Sequence, residues 1–168
     1  MKKNKNKFFA ALILSISSIG AIQNANAGDP SFIKFALDQA HKQGFTECDK
    51  AVSSLYEYAN GDDFYINTST TGETKKDTLR MTAAYGKKGD TVFSDATIRK
   101  LGSKCYVEVS TTVKFEDPCA KSLSDNPSMK VDKESLGNIW TKNSGGVIGV
   151  FQPLGNSCVV TYIRSNIY

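Results

Sequence analysis

The stretch at residues 97–119, TIRKLGSKCYVEVSTTVKFEDPC, constrains the fold more than any other part of the chain. Cys105, Val107, Val109, Thr111, Val113 and Phe115 share one parity, and Tyr106, Glu108, Ser110, Thr112 and Lys114 share the other. Side chains of a strand alternate between faces, so this pattern predicts a half-buried antiparallel strand with one solvated face. Gly102 and Ser103 separate it from the run at 92–99, and glycine supplies the positive φ of a tight turn. The two runs read as a hairpin.

The chain opens with a basic head, MKKNKNK, followed by the apolar run FFAALILSISSIGAI and the small-x-small sequence Ala25-Asn26-Ala27. That is the anatomy of a secretory signal peptide, expected to be cleaved after Ala27. A membrane anchor is the competing reading, but a spanning helix wants about 20 apolar residues, and Ser15, Ser17, Ser18 and Gly20 dilute this run. No cysteine stands at the cleavage site to take a lipid. Residues 28–168 are then a single domain of ordinary size.

Charge follows the same division. Lys2, Lys3, Lys5 and Lys7, with no acid before Asp29, account for the whole excess of 21 basic over 17 acidic residues. The exported domain is expected to be neutral, with no basic arm or patch visible along it, so nucleic acid and stable membrane insertion are not among the expected partners.

All four cysteines, Cys48, Cys105, Cys119 and Cys158, lie in the exported part. An even count in an exported chain predicts two disulfides, and without a C-x-x-C spacing there is no basis for a redox site, a metal site or a cofactor.

Ile33, Ala36, Leu37 and Ala40 form a helical apolar stripe over residues 31–43, widened by Phe32 and Phe35 and ended by Gly44. Thr46, with Asp49 three residues on, predicts the start of a second helix that stops near Asn60-Gly61. From Asp62 the period changes to two. Strands are expected at 64–66, 79–85, 92–99, 105–115, 147–152 and 158–164, with a polar loop at 69–77 and a helical turn at 133–139. LGSKCYVEV at 101–109 is echoed by LGNSCVVTY at 154–162, so each hairpin places a cysteine just after a glycine turn. The expected fold is α+β: two N-terminal helices packed on one face of a twisted, mainly antiparallel sheet of about six strands, stapled by two disulfides.

Four cysteines allow three pairings. In a regular meander the turns at Gly102 and Gly155 share one edge of the sheet, which favours Cys105–Cys158 and leaves Cys48–Cys119.

Motifs for catalysis are weak. His41, the one histidine, stands on the first helix beside a lysine, and no G-x-S-x-G turn accompanies it. Asp62-Asp63 and Glu116-Asp117 are adjacent acids at element ends, where solvated turn residues are the commoner explanation. Phosphate, dinucleotide and calcium loops are missing. No catalytic and no metal-binding residue is assigned. The outward parity of the middle strands supplies a candidate binding face, Arg80, Arg99, Tyr106, Glu108, Thr112 and Lys114. Trp140 is expected in the core. The expected function is that of an exported, periplasmic or secreted binding module for an unknown envelope protein or glycan, of the inhibitor or immunity type that neutralises an envelope toxin or hydrolase. The alternatives are a small envelope-polymer hydrolase working through Glu116 or Asp62, and an accessory component of an envelope assembly.

Overall fold

The computed structural model describes residues 28–70 and 77–168. The expected signal peptide, residues 1–27, lies outside the described residues, as does most of the polar loop expected at 69–77. The described chain runs α1 (Pro30–Lys42), α2 (Asp49–Leu55), β1 (Asp63–Thr70), β2 (Thr78–Lys87), β3 (Asp90–Leu101), β4 (Lys104–Phe115), α3 (Cys119–Ser124), β5 (Lys130–Ser135), β6 (Asn138–Lys142), β7 (Ile148–Leu154) and β8 (Ser157–Ile167). Among the described residues the fold is α+β, with eight antiparallel strands in one sheet of order β1-β2-β3-β4-β8-β7-β6-β5.

Local chemistry sets the ends of α1. Asp29 Oδ1 accepts from Ser31 N at 2.8 Å and Pro30 occupies the first turn, where its missing N–H is harmless. Gly44, at φ +77°, turns the chain out of the helix. The second helix is shorter than expected, because Cys48 and not Thr46 stands at its cap position and the chain beyond Leu55 enters another pairing. There Gly28 N donates to Glu57 O at 2.6 Å and Asp29 N to Ala59 O at 2.9 Å. A Cβ on Gly28 would lie 2.6 Å from Glu57 O, so only glycine permits this approach.

The sheet exceeds the expected six strands by two. Residues 130–142, expected to hold a helical turn, form the β5–β6 hairpin, whose tip is Leu136 at φ +52° followed by Gly137 at φ +76°. Two successive positive φ values match the right-handed twist of the flanking strands. The expected strand at 64–66 extends to eight residues, and α3 appears where no helix was expected.

The expected disulfide pairing is overturned: the bonds are Cys48–Cys105 and Cys119–Cys158, and every cysteine is in one of them. The reason lies in the strand order. β8 runs antiparallel to β4, pairing Phe115 with Cys158 and Tyr106 with Ile167, so the start of β8 lies at the far end of β4 from Cys105. The turns at Gly102 and Gly155 are therefore at opposite edges. Cys158 meets Cys119 at the exit of β4, and Cys105 is left to Cys48 at the entrance to α2. Two disulfides are the chemistry of an oxidising, non-cytoplasmic compartment.

Packing follows the parity read from β4. Met81, Ile98, Val107 and Val160 are buried along one face of the sheet, and the ring of Phe32 from α1 lies 4.6 Å from Phe64, 5.0 Å from Tyr56 and 5.3 Å from Tyr85, centroid to centroid. Burial pushes the Tyr85 and Tyr162 phenols up to about 12 and Tyr56 higher still, since a phenolate cannot be solvated there. A raised folded-state value means that this stabilisation is fully present below the ordinary phenol value of about 10 and is lost as pH rises through the folded-state values. In an alkaline spectrophotometric titration, ionisation of these buried phenols is expected to coincide with loss of near-UV circular dichroism. Phenolate absorbance gained with the fold intact would contradict it.

Candidate binding face

The six residues singled out in the sequence occupy three central strands with their side chains on the outward parity. Arg99 stands opposite Tyr106, Thr97 lies between Arg80 and Glu108, and Thr112 lies between Phe93 and Thr161. They do not converge. Tyr106 and Lys114 are eight positions apart on β4, about 26 Å at about 3.3 Å per residue, so the set spans the face.

Several of these side chains already have partners. Arg80 makes a two-pronged pair with Asp95, Nε to Oδ1 at 2.9 Å and Nη2 to Oδ2 at 2.6 Å, and Thr82 Oγ1 adds a contact to Oδ1 at 3.3 Å. Lys114 Nζ donates to Glu116 at 3.0 Å, and the Thr112 and Thr161 hydroxyls share a hydrogen bond of 3.0 Å. The hydrogen bond from Arg80 holds the Asp95 carboxyl below the usual carboxylate range. With the folded-state value depressed, this pair stabilises above the ordinary carboxylate value of about 4 and loses its effect as pH falls below it. Asp95→Asn is expected to flatten the acid limb of the stability profile by lowering stability slightly at neutral pH and leaving it unchanged in acid, a small effect because the pair is exposed and screened. An unchanged acid limb, read from urea midpoints, would contradict this.

The register reveals a row that crosses the whole sheet. Tyr65, Ala84, Phe93, Thr112, Thr161, Val150, Trp140 and Lys133 are successive neighbours from β1 to β5, one from each strand. Tyr65, on the edge strand β1, is 69 % exposed and Phe93, inside the sheet on β3, 48 %, large values for aromatic residues. Trp140, expected in the core, is half-buried on this outward parity instead. The buried position beside it is Thr141, whose Oγ1 donates to Gly149 O at 3.1 Å, because only a small side chain fits where a Cβ on Gly149 would come within 2.6 Å of that same Oγ1.

Sequence reasoning missed this row in two ways. Phe93 carries the same outward parity as Asp95 and was recoverable from the alternation. Trp140 was recoverable only with the β5–β6 hairpin, whose signal is a third Leu-Gly pair, Leu136-Gly137, beside Leu101-Gly102 and Leu154-Gly155.

The hydrolytic candidates stand apart from this row. Asp62 lies 3.9 Å from Lys87 and Glu116 is held by Lys114, both carboxylates facing solvent at element ends. A cleft lined by Asp29, Phe32, Asn60, Gly61, Asp63, Phe64 and Tyr85 holds a cavity of only about 10 Å³, room for about one water. Its two carboxylates are engaged, Asp29 at the α1 cap and Asp63 with Phe64 N at 2.8 Å. His41 Nε2 meets Asp49 Oδ1 at 2.8 Å, tying α1 to α2. Among the described residues no helix is long and apolar enough to cross a membrane. No family model, curated protein or solved structure matches the chain.

Proposed function

We propose that the protein is an exported, disulfide-bonded binding module of the periplasm or extracellular space, and that the outward face of its sheet is the binding surface. The observation that carries this reading is the asymmetry of the two faces. One receives the ring of Phe32 from α1 and both disulfides. The other keeps Tyr65, Phe93 and Trp140 in a single transverse row. Desolvating such residues against a partner is the usual source of binding free energy at hot spots. Because the face is built on paired strands backed by a core and two covalent bonds, little ordering entropy opposes association. The same rigid platform suits an inhibitor that blocks an envelope toxin or hydrolase.

The test compares captures from envelope extracts by the unaltered protein, by Phe93→Asp, and by Lys34→Glu on the exposed side of α1, after near-UV circular dichroism shows that each is folded. A partner, protein or polysaccharide, retained by the first and third and lost by Phe93→Asp is the expected result. Equal recovery by all three, or no specific recovery by any, would refute the assignment of this face.

A further inference from the structure

The two halves of the outward face differ in charge. On β1 to β4 the outward positions mix Asp63, Asp95 and Glu108 with Arg80, Arg99 and Lys114. On β5 to β8 the register-paired outward positions carry Lys130, Lys133 and Lys142 and no carboxylate. Of the acids of β5, Glu134 pairs with Ile139 on the opposite parity, and exposed Asp132 falls at the bulge between Val131 and Lys133, outside the alternation. None of the three lysines is in an ion pair with a described residue. Lys142 stands opposite Lys130, and Lys133 Nζ sits 5.5 Å from the centre of the Trp140 ring. A chain expected to show no basic patch thus assembles one by folding, around its single tryptophan.

We infer that this face takes a linear acidic polysaccharide with β-1,4 linkages, lying across the strands along the row from Tyr65 to Trp140. The inference rests on the binding-module reading and gives its ligand class. Charge complementarity selects an anion, because Lys133 lies over the indole, Lys130 and Lys142 stand opposite one another on the same face, and none of the three is in an ion pair with a described residue. The aromatic spacing selects a sugar chain. Tyr65 and Phe93 are two strand separations apart, and Phe93 and Trp140 four, about 10 Å and about 19 Å at about 4.8 Å per separation. Those intervals correspond to one and two repeats of a β-1,4-linked disaccharide, so pyranose rings can stack on each aromatic in turn. Between them lie Thr112 and Thr161, whose hydroxyls can bond sugar hydroxyls. Lys133 Nζ, which lies over the Trp140 ring, would swing aside to a carboxylate of the sugar that takes its place there.

The probes are a hexasaccharide of β-1,4-linked mannuronic acid, cellohexaose as the uncharged chain of the same linkage, and a polyglutamate of equal charge. Calorimetric titration of the disulfide-bonded protein is expected to show the mannuronate binding at least tenfold more tightly than either of the others, and weakening as salt rises. Trp140→Ala and the triple variant Lys130→Glu, Lys133→Glu, Lys142→Glu are each expected to lose at least tenfold, Phe93→Ala to lose severalfold, and Lys34→Glu to change nothing. Circular dichroism confirms the fold of each variant. Polyglutamate binding as tightly as the mannuronate would reduce the site to charge alone and overturn the inference, as would mannuronate binding untouched by the Trp140 or triple-lysine variants, or no mannuronate binding at millimolar concentration. If the mannuronate fails while Phe93→Asp still abolishes capture of a protein, the ligand class falls and the binding face stands. If both fail, both readings fall.

Discussion

Replacing Cys119 and Cys158 together by alanine is expected to lower the unfolding free energy by about 4 kcal/mol, from the loop entropy of a bridge that closes 39 residues of separation. The Cys48–Cys105 bridge closes 57 residues and should contribute a similar amount. Total stabilities of such domains are about 5–15 kcal/mol, so loss of both bridges should leave the chain largely unfolded at 37 °C. Urea titration of each double-alanine variant gives the magnitudes, and a midpoint unchanged by loss of either bridge would contradict them. A non-reducing peptide map should recover Cys48 linked to Cys105 and Cys119 linked to Cys158. The local consequence is largest at α3, a helix of six residues without a side-chain cap, too short to persist unless tethered. Hydrogen exchange in residues 119–124 should rise much more than in β3.

Phe32→Ala is expected to destabilise by about 3–5 kcal/mol, the range for emptying a fully buried aromatic site. Phe32 is 1 % exposed and touches three other rings, Tyr56, Phe64 and Tyr85, which belong to three different parts of the chain. Its removal leaves a cavity at the contact of α1 with the sheet, and the rings around it are held by β1, β2 and the end of α2, so they cannot collapse into it. A loss below about 1 kcal/mol by urea unfolding would show that α1 contributes little to the core. By contrast, Tyr56 and Ser94 bury hydroxyls without well-formed hydrogen bonds, so removing the hydroxyl alone should cost far less than emptying the Phe32 site.

Much of this architecture was legible because one-sided burial writes itself into strands. Cys105, Val107, Val109, Thr111 and Val113 are buried in turn along β4, and the neighbouring β2 and β3 obey the same alternation. The β5–β6 hairpin was not legible, because all six residues of β5 are exposed and an edge strand with little to bury carries no apolar period. Its charges are typical of an edge protected against further pairing. The presence of two disulfides is legible in the cysteine count but their pairing is not, since pairing depends on which strand neighbours β4, and local pattern contains no information about a strand partner more than forty positions away. The same limit hid the lysine patch. Lys130 and Lys133 lie on one strand and Lys142 on another, and only their register makes them neighbours of Trp140.

β8 is the last of the strands in the order of the chain, yet it occupies the interior of the sheet, between β4 and β7. The first four strands can pair in sequence with short loops, and β5 to β7 can do likewise, but the two groups have no shared edge until β8 arrives. Folding therefore has a late, non-local step in which one strand closes the seam, and long-range pairings of this kind slow a fold relative to a simple meander. Until then both β4 and β7 present open edges, a template for wrong pairing. The intact sheet cannot form before residues 157–167 are available to pair with both β4 and β7.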